Sequence, residues 1–344
     1  MHWVLQENLF DEQGFRDAID VLERFNIPYS LHKVVPFVGE LIPDIDPDDN
    51  VICMGSYSMR HIAKKKGWYP GVFDLEQVNF NEQMKHWGRF MLNADAVVSR
   101  FADAKIVTGR AFLRPIEDSK VFAGKVFTDQ ELKEWQHSII TMGDDYGSSM
   151  NGDTLIQVCP VKEIYAEYRY WIVDDKIVTK SMYKRGDTVY YSSDVDERFD
   201  RFVSSLTSGS FSVDYWRPHD AYVIDVCDTP DGIKVVELNT LNSAGFYAAN
   251  MTDLIMALEE KFSRKEPRKP REDADALVLY KCQSSVEPGY FYCPYNPFQP
   301  FIEKSSEPES PTQEMIAMWI DGVKNNDPQK EAYIELLKKL PMFG

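Results

Sequence analysis

The sequence predicts a mixed α/β protein with three regions that differ in their pattern of strands and helices. Residues 1 to about 90 alternate apolar strands with amphipathic helices, which is typical of a small parallel sheet covered by helices. The stretch from about 95 to 262 is richer in strands, and turn signals join those strands into hairpins. After residue 263 the chain becomes charged and proline-bearing, as linkers are. The predicted domains are 1–92, 93–262 and 263–344.

Composition and charge limit the class of protein. A length of 344 residues with 44% hydrophobic and 13% aromatic residues indicates a folded chain with more than one core. The net charge of −17 disfavours a nucleic-acid partner, and no apolar run approaches the roughly 20 residues of a membrane span. Five cysteines without CxxC spacing and an acidic start without a basic leader predict reduced thiols in a cytoplasmic protein. The six scattered histidines make a zinc site improbable.

The first region contains a β-α-β-β-α order. Its strands and helices are predicted from five segments, which are the strand WVLQENL, the helix DEQGFRDAIDVLERFN, the strands YSLHKVVPFV and VICMGSY, and the helix SMRHIAKKKGW.

Polar residues interrupt an apolar hairpin near the end of the second region. Two β-branched runs flank a Thr-Pro-Asp-Gly turn, and pairing about Asp231 places Asp225 opposite Glu237. Side chains along a strand point alternately to the two faces of the sheet, so Asn239 lies on the same face as Glu237. The oxygen donors Asp225, Glu237 and Asn239 are therefore predicted to converge there. Buried carboxylates require a partner, and such donors suit Mg²⁺ or Mn²⁺. The alternative is a solvated hairpin face with ordinary polar residues.

A second hairpin, EYRYWIVDDKIVTKSMYKRG, is basic. A two-residue turn at Asp174 and Asp175 would place Arg169 directly across from Lys180. Adjacent cations repel, so this pairing suggests a polyanion bound between them. The alternative is a solvated surface in which Glu167 pairs with Arg169.

Two further stretches are weak signals individually. In AFLRPIEDSKVF, Arg114 ends an apolar strand and Lys120 follows a polar loop, which lacks the GxxxxGK pattern of a P-loop and equally suits an ordinary surface loop. In DTLIQVCPVKE, a strand ends near Gln157 and Val158, where backbone groups could meet a purine edge, and Glu163 could reach a ribose.

In this order, the four stretches resemble the ATP-grasp superfamily. The combination of FLRP…DSKVF with EYRYWIVDDK is most similar to a clade named for two arginines and a lysine, found in bacteria and their phages. The resemblance covers roughly residues 100 to 260, and residues 1 to 90 match the α/β domain that precedes the ATP-grasp domain in such enzymes. It implies an ATP-grasp fold with this preceding domain and a C-terminal extension.

The resemblance also implies roles in nucleotide binding. Arg114 corresponds to the cation on the α- or β-phosphate, although many members have lysine there, and Lys120 belongs to the loop that closes over ATP. Gln157 and Val158 border the adenine, and Glu163 meets the ribose.

Metal-binding and catalytic roles follow from the same resemblance. Asp225, Glu237 and Asn239 correspond to the Mg²⁺ positions, with Glu237 between two ions. The catalytic residues are Arg169 and Lys180, which steady the transferred phosphoryl group, and Asn242.

The implied reaction is ATP-dependent ligation of a carboxylate to an amine through an acyl phosphate, with Mg²⁺ or Mn²⁺. The substrates are small molecules, peptides or proteins, and a homodimer is compatible with the sequence. Two alternatives remain open, a non-catalytic acidic binding or inhibitor protein on an ATP-grasp scaffold, and a phosphotransferase with an alcohol acceptor. A final amphipathic stretch, KEAYIELLKKL, predicts a helix docked on the protein body or on a second copy, and the alternative is a mobile appendage.

Overall fold

The computed structural model describes most of the first 263 residues and three later strands. The described ranges are 1–7, 13–35, 40–75, 77–107, 109–116, 122–142, 150–210 and 215–263, with the backbones of 279–282, 289–292 and 302–304. The chain divides into two compact units, Met1–Pro270 and Arg271–Gly344. The predictions for Lys120 and for the final helix lie outside the described residues.

The first unit begins with a five-stranded sheet in the order β3-β2-β1-β4-β5. Strands β2, β1, β4 and β5 are parallel, which confirms the predicted parallel sheet, and the two-residue strand β3 is antiparallel to β2. Helix α1 buries the apolar face predicted by its periodicity. The bounds are β1 His2–Gln6, α1 Gln13–Arg24, β2 Tyr29–Val34, β3 Leu41–Ile42, β4 Val51–Met54, α2 Met59–Lys66, β5 Pro70–Gly71 and α3 Phe80–Trp87.

A four-stranded antiparallel sheet in the order β6-β9-β7-β8 follows. Helix α4 covers it, and Leu132 of that helix packs with Leu113 and Ile156 in a separate core. The bounds are β6 Val97–Arg100, β7 Arg110–Pro115, β8 Lys125–Thr128, α4 Asp129–Met142 and β9 Leu155–Pro160.

A second five-stranded sheet, entirely antiparallel, has the order β12-β11-β10-β13-β14. One face packs on α5, and part of the other face packs on α1 and α6 through residues such as Trp171 and Val223. The bounds are β10 Ala166–Val173, β11 Lys176–Arg185, β12 Thr188–Ser192, α5 Glu197–Thr207, β13 Ala221–Thr229, β14 Gly232–Asn239 and α6 Met251–Phe262.

A β-bulge changes the register of the basic hairpin. The turn at Asp174 and Asp175 is confirmed, since both residues have positive φ, 52° and 64°, as a type I′ turn requires. A bulge at Trp171 then shifts the pairing by one residue, so Ser181 lies opposite Arg169. The prediction that Lys180 lies opposite Arg169 is therefore wrong, because an odd shift moves a side chain to the other face of the sheet.

The hairpin of β13 and β14 confirms the predicted pairing of Asp225 with Glu237, although its turn is centred between Pro230 and Asp231 and not at Asp231. Thr229 pairs with Gly232 across the Pro230–Asp231 turn, and a bulge after Asp225 brings that residue opposite Glu237.

In the second unit, the described residues form a three-stranded antiparallel sheet in the order β16-β15-β17. The bounds are β15 Leu279–Cys282, β16 Gly289–Tyr292 and β17 Ile302–Lys304. Among the described residues of the chain, no helix has the length and hydrophobicity needed to cross a bilayer.

Candidate active site

Arg169 and Asp225 form a buried bidentate ion pair at the centre of the second five-stranded sheet. The Nε and Nη2 atoms of Arg169 donate to the two carboxylate oxygens of Asp225 at 2.8 and 2.7 Å, and Nη1 donates to the Gly245 carbonyl at 3.2 Å. Burial opposes the guanidinium charge, but the Asp225 carboxylate outweighs it and raises the pKa of Arg169. Arg169 is thus a fixed cation, and three of its five N–H groups already have acceptors.

Asn239 connects this pair to Glu237. Its Nδ2 donates to Asp225 Oδ2 at 3.0 Å and to Glu237 Oε1 at 3.1 Å. The predicted convergence of these three side chains on one face is therefore confirmed. The Glu237 side chain is 29% exposed and that of Asp225 only 2%, so Asp225 lies beneath Glu237 and Asn239.

Arg114 joins the two antiparallel sheets at this point. Its Nη2 atom, on β7, lies 2.8 Å from Glu237 Oε2 on β14. Burial raises the pKa of Glu237, but the positive charge of Arg114 and the hydrogen bonds from Asn239 and Arg114 outweigh burial and lower it. Glu237 is therefore an anion near neutral pH.

The donor set suits a hard divalent cation only after its present partners move. Each carboxylate is paired with an arginine, and the described residues contain no group of three or more His, Cys, Asp or Glu residues arranged to hold a metal ion. Glu237 and Asn239 fit best, since they are the more exposed donors and the Asn239 amide can turn to present its oxygen. Asp225 would first have to give up a hydrogen bond to Arg169.

Lys180 and Asn242 lie away from this centre. The structure contradicts the predicted placement of Lys180 beside Arg169, whereas the catalytic role of Asn242 stays a prediction. Lys180 Nζ donates to Asp200 Oδ2 on α5 at 2.5 Å, on the opposite face of the sheet from Arg169. The Asn242 oxygen accepts from the Phe73 N–H at 2.7 Å, and its nitrogen donates to the Cys53 carbonyl at 2.5 Å. Asn242 is 2% exposed, so it anchors its loop to the first sheet.

A second polar cluster lies on the Arg169 face, of which the sequence indicated only Glu167. Glu167 accepts hydrogen bonds from Tyr183 Oη and Lys184 Nζ, both at 2.8 Å. Tyr247 stacks on Tyr183 with ring centroids 5.1 Å apart, and the Arg169 guanidinium lies 4.9 Å from the Tyr247 centroid. Lys184 belongs to the predicted basic hairpin, where a second register shift, between Glu167 and Tyr168, places it directly opposite Glu167.

A cavity of about 300 Å³ lies where β9 leads into β10. Its lining includes Glu163, Lys162, Asp95, Asp231 and Lys234.

The residues predicted beside the adenine differ in their surroundings. Gln157 is 3% exposed, donates to the Pro115 carbonyl and accepts from Asn93, both at 3.3 Å. Val158 packs against the core of the four-stranded sheet. Of the predicted adenosine contacts, Glu163 lines the cavity, while Gln157 and Val158 are not part of its lining.

Two antiparallel sheets that carry facing cations and carboxylates, preceded by a parallel α/β sheet, define an ATP-grasp protein. The chain belongs to an ATP-grasp domain family, family 3 of the clade named for two arginines and a lysine, whose model matches residues 51–258.

Solved structures of low sequence identity are similar to the chain. A RimK domain ATP-grasp protein from Sphaerobacter thermophilus DSM 20745 has 12% identity and a TM-score of 0.45, covering 76% of this chain and 96% of its own. A D-alanine–D-alanine ligase from Bacillus anthracis has 11% identity and a TM-score of 0.46, covering 75% and 96%. The ATP-grasp ligase PsnB, complexed with a minimal precursor, has 12% identity and a TM-score of 0.42, covering 76% and 99%. No curated protein sequence matches the chain.

Proposed function

We propose that the protein is an ATP-dependent ligase that joins a carboxylate to an amine through an acyl phosphate, with Mg²⁺ or Mn²⁺. One observation carries the proposal, which is the continuous chain of contacts from Arg114 through Glu237, Asn239 and Asp225 to Arg169. It brings phosphate-binding and metal-binding chemistry together where two sheets meet. Phosphoryl transfer depends mainly on such positioning and charge neutralisation.

The cavity beside Glu163 is proposed to hold the adenosine end of ATP. The Glu163 carboxylate can accept hydrogen bonds from ribose hydroxyls, and the cavity volume is at the lower end of ligand sites. Lys234 of the lining and Glu237 of the centre lie on the same strand, roughly 10 Å apart at the rise of a β-strand. The triphosphate of a nucleoside triphosphate spans that distance, which supports its placement between the cavity and Arg114.

Glu237 and Asn239 are proposed to hold the metal ion, with Asp225 beneath them. The ion would neutralise the charge that develops on the phosphate oxygens. Arg114 would move from Glu237 to a phosphate, because a guanidinium binds phosphate oxygens as well as carboxylate oxygens. This exchange would free Glu237 at the moment when the metal ion arrives.

Lys184 is proposed to take the role expected for Lys180. Its side chain is 40% exposed, and it pairs with Glu167 on the face that also carries Arg169. The Lys184 ammonium, on a flexible side chain, would leave Glu167 to meet the short-lived charge of an acyl phosphate, whereas Arg169 is held by Asp225 and Gly245.

The test is ADP release across a panel of carboxylates and amines, with mass analysis of the products. A ligase of this kind sustains the release of ADP and phosphate only when both substrates are present, and the product mass equals their sum less one water. Glu237→Gln should abolish this release, while the matched control Glu197→Gln, whose side chain is 85% exposed, should not. A phosphorylated alcohol among the products would support a phosphotransferase, and the absence of any stabilisation by Mg·ATP would support a non-catalytic protein.

A further inference from the structure

Strand β12 is an unusually apolar edge of the second five-stranded sheet. Among the described residues, it pairs only with β11. Three successive side chains are exposed, Val189 at 65% and Tyr190 and Tyr191 at 51% each. Edge strands commonly carry lysine, proline or another charge that blocks pairing with a further strand, and β12 has none of these residues.

A bulge aims one of these tyrosines at the proposed active site. Between the pairs Met182–Ser192 and Lys184–Val189, β12 contributes one residue more than β11. The Tyr191 ring stacks on Tyr247 with centroids 5.0 Å apart. Bulges commonly redirect side chains beside functional sites.

Tyr247 continues this contact to the centre. It stacks on Tyr183, and the Arg169 guanidinium lies over its ring. It adopts a φ of 52°, a conformation that costs energy for a tyrosine and often marks a functional position. An unbroken series of contacts therefore runs from the exposed edge to the pair of Arg169 and Asp225.

The hairpin that carries this edge is positively charged in an otherwise acidic chain. The net charge of the whole chain is −17, whereas residues 176–192 contain four cations and one acid, a net charge of +3. Lys180 and Lys184 pair with Asp200 and Glu167, which lie outside this hairpin. Among the described residues, Lys176 and Arg185 are exposed and neither forms an ion pair. This local charge complements an acidic partner.

We propose that β12 binds an acidic polypeptide segment in an extended conformation, as an added strand, and that this segment carries one of the substrate groups. Every second residue points its N–H and C=O outward along a strand edge, so these groups recur about every 7 Å, a spacing that an extended polypeptide can match and a free amino acid cannot. Tyr191 and Tyr247 then contact the residue that enters the centre. The binding stands by itself, whereas the role of the segment as substrate rests on the proposed ligase function.

The experiment uses a phage-displayed library of random octapeptides, selected on the full chain without nucleotide. Enriched sequences are synthesised, and their affinity is measured by fluorescence anisotropy against variants. We expect enrichment of acidic sequences, and affinity more than tenfold weaker for Val189→Asp and for Tyr191→Ala. The matched controls are Val107→Asp and Tyr165→Ala, at positions 91% and 48% exposed, and their affinity should stay within twofold of wild type.

Strand pairing has its own readout. N-methylation of alternate peptide amides should abolish binding when the methylated edge faces β12, because a methylated nitrogen donates no hydrogen bond. Enrichment of no sequence, or equal binding to Val189→Asp, overturns the proposal. So does a wild-type dimer that Val189→Asp converts to a monomer, since a second copy then occupies the edge.

Failure of the inference and failure of the ligase function give different results. Edge-dependent peptide binding without ADP release leaves the docking site standing and removes the substrate role. Ligation of free amino acids, with KM unchanged by Val189→Asp, leaves the ligase standing and removes the peptide site.

Discussion

Arg114 Nη2 and Glu237 Oε2 lie 2.8 Å apart, and this contact joins β7 of the four-stranded sheet to β14 of the five-stranded sheet. Arg114, which is expected to bind a phosphate, thus forms an ion pair with Glu237, which is expected to bind the metal ion. Each is neutralised by the other, so the two proposed ligands can only become available together. The nucleotide and the metal ion should therefore bind cooperatively.

The first prediction tests this exchange with Glu237→Gln. Mg·ATP should raise the melting temperature of the wild type by several degrees and leave that of the variant unchanged, as measured by thermal denaturation. Without ligand, the free energy of unfolding should change by only about 1 kcal/mol, because the ion pair is partly exposed. If Mg·ATP raises the melting temperature of Glu237→Gln as much as that of the wild type, Glu237 does not bind the metal ion.

The second prediction concerns the buried pair of Arg169 and Asp225. Arg169→Met should lower the free energy of unfolding by about 3–5 kcal/mol, because it leaves the Asp225 carboxylate buried without its cation. The double variant Arg169→Met/Asp225→Leu should recover much of that loss. Urea unfolding of both single variants and the double variant forms a cycle, and strictly additive effects would show that the pair is not coupled.

The third prediction separates two lysines on opposite faces of β11. Lys184→Ala should lower kcat by more than tenfold, whereas Lys180→Ala should leave kcat within about twofold, because Lys180 contacts Asp200 on α5. Steady-state ADP release measures both variants under the same conditions. An equal loss of kcat in the two variants would mean that Lys184 does not stabilise the acyl phosphate as proposed.

The fourth prediction compares two asparagines of the same segment. Asn242→Ala should lower the free energy of unfolding by about 2–4 kcal/mol, because it leaves the buried Phe73 N–H and Cys53 carbonyl without partners. Asn239→Ala should instead weaken Mg·ATP binding with a smaller effect on stability. Denaturant unfolding and calorimetric titration measure the two effects, and a reversed pattern would exchange the two roles.

The fifth prediction concerns pH and Asp174. Hydrogen bonds from Lys261 and Arg217 lower the pKa of Asp174 to about 2. A lowered pKa in the folded state gives stability that is present above the unfolded pKa of about 3.9 and is lost as pH falls towards 2. The wild type should therefore exceed Asp174→Asn by up to about 1 kcal/mol above pH 5, a small value because the Asp174 side chain is 43% exposed.

Urea unfolding between pH 3 and pH 7 measures this difference, which should shrink as the pH falls. Asparagine tolerates the positive φ of this turn, so the substitution leaves the backbone unstrained. A difference that is constant across the range would show that Asp174 does not titrate differently in the folded state.

The turn residues allowed both hairpins of the candidate active site, β10–β11 and β13–β14, to be predicted from the sequence. Asp-Asp and Thr-Pro-Asp-Gly locate the turns, and in the second hairpin a bulge after Asp225 produces the predicted pairing of that residue with Glu237. The alternation of side chains along the strand gave the wrong face for Lys180, because the bulge at Trp171 interrupts it. Such a bulge depends on packing across the sheet, and no short sequence pattern predicts it. Glu167 was predicted only as an alternative partner of Arg169, and its contacts with Tyr183 and Lys184 depend on the second register shift of the hairpin. Tyr247 was not predicted, because it meets Tyr183 and Arg169 only after distant segments pack together.

The core of the first parallel sheet is completed by a helix from the far end of the first unit. Trp3 Nε1 donates to Glu259 Oε1 at 2.7 Å, and Asn50 Nδ2 donates to the Phe262 carbonyl at 2.7 Å. During synthesis, the first strands therefore emerge from the ribosome roughly two hundred residues before α6. Part of their apolar surface stays exposed to solvent until α6 has been synthesised. A chain stopped before α6 should remain protease-sensitive and require chaperones, and one continued past residue 263 should become resistant.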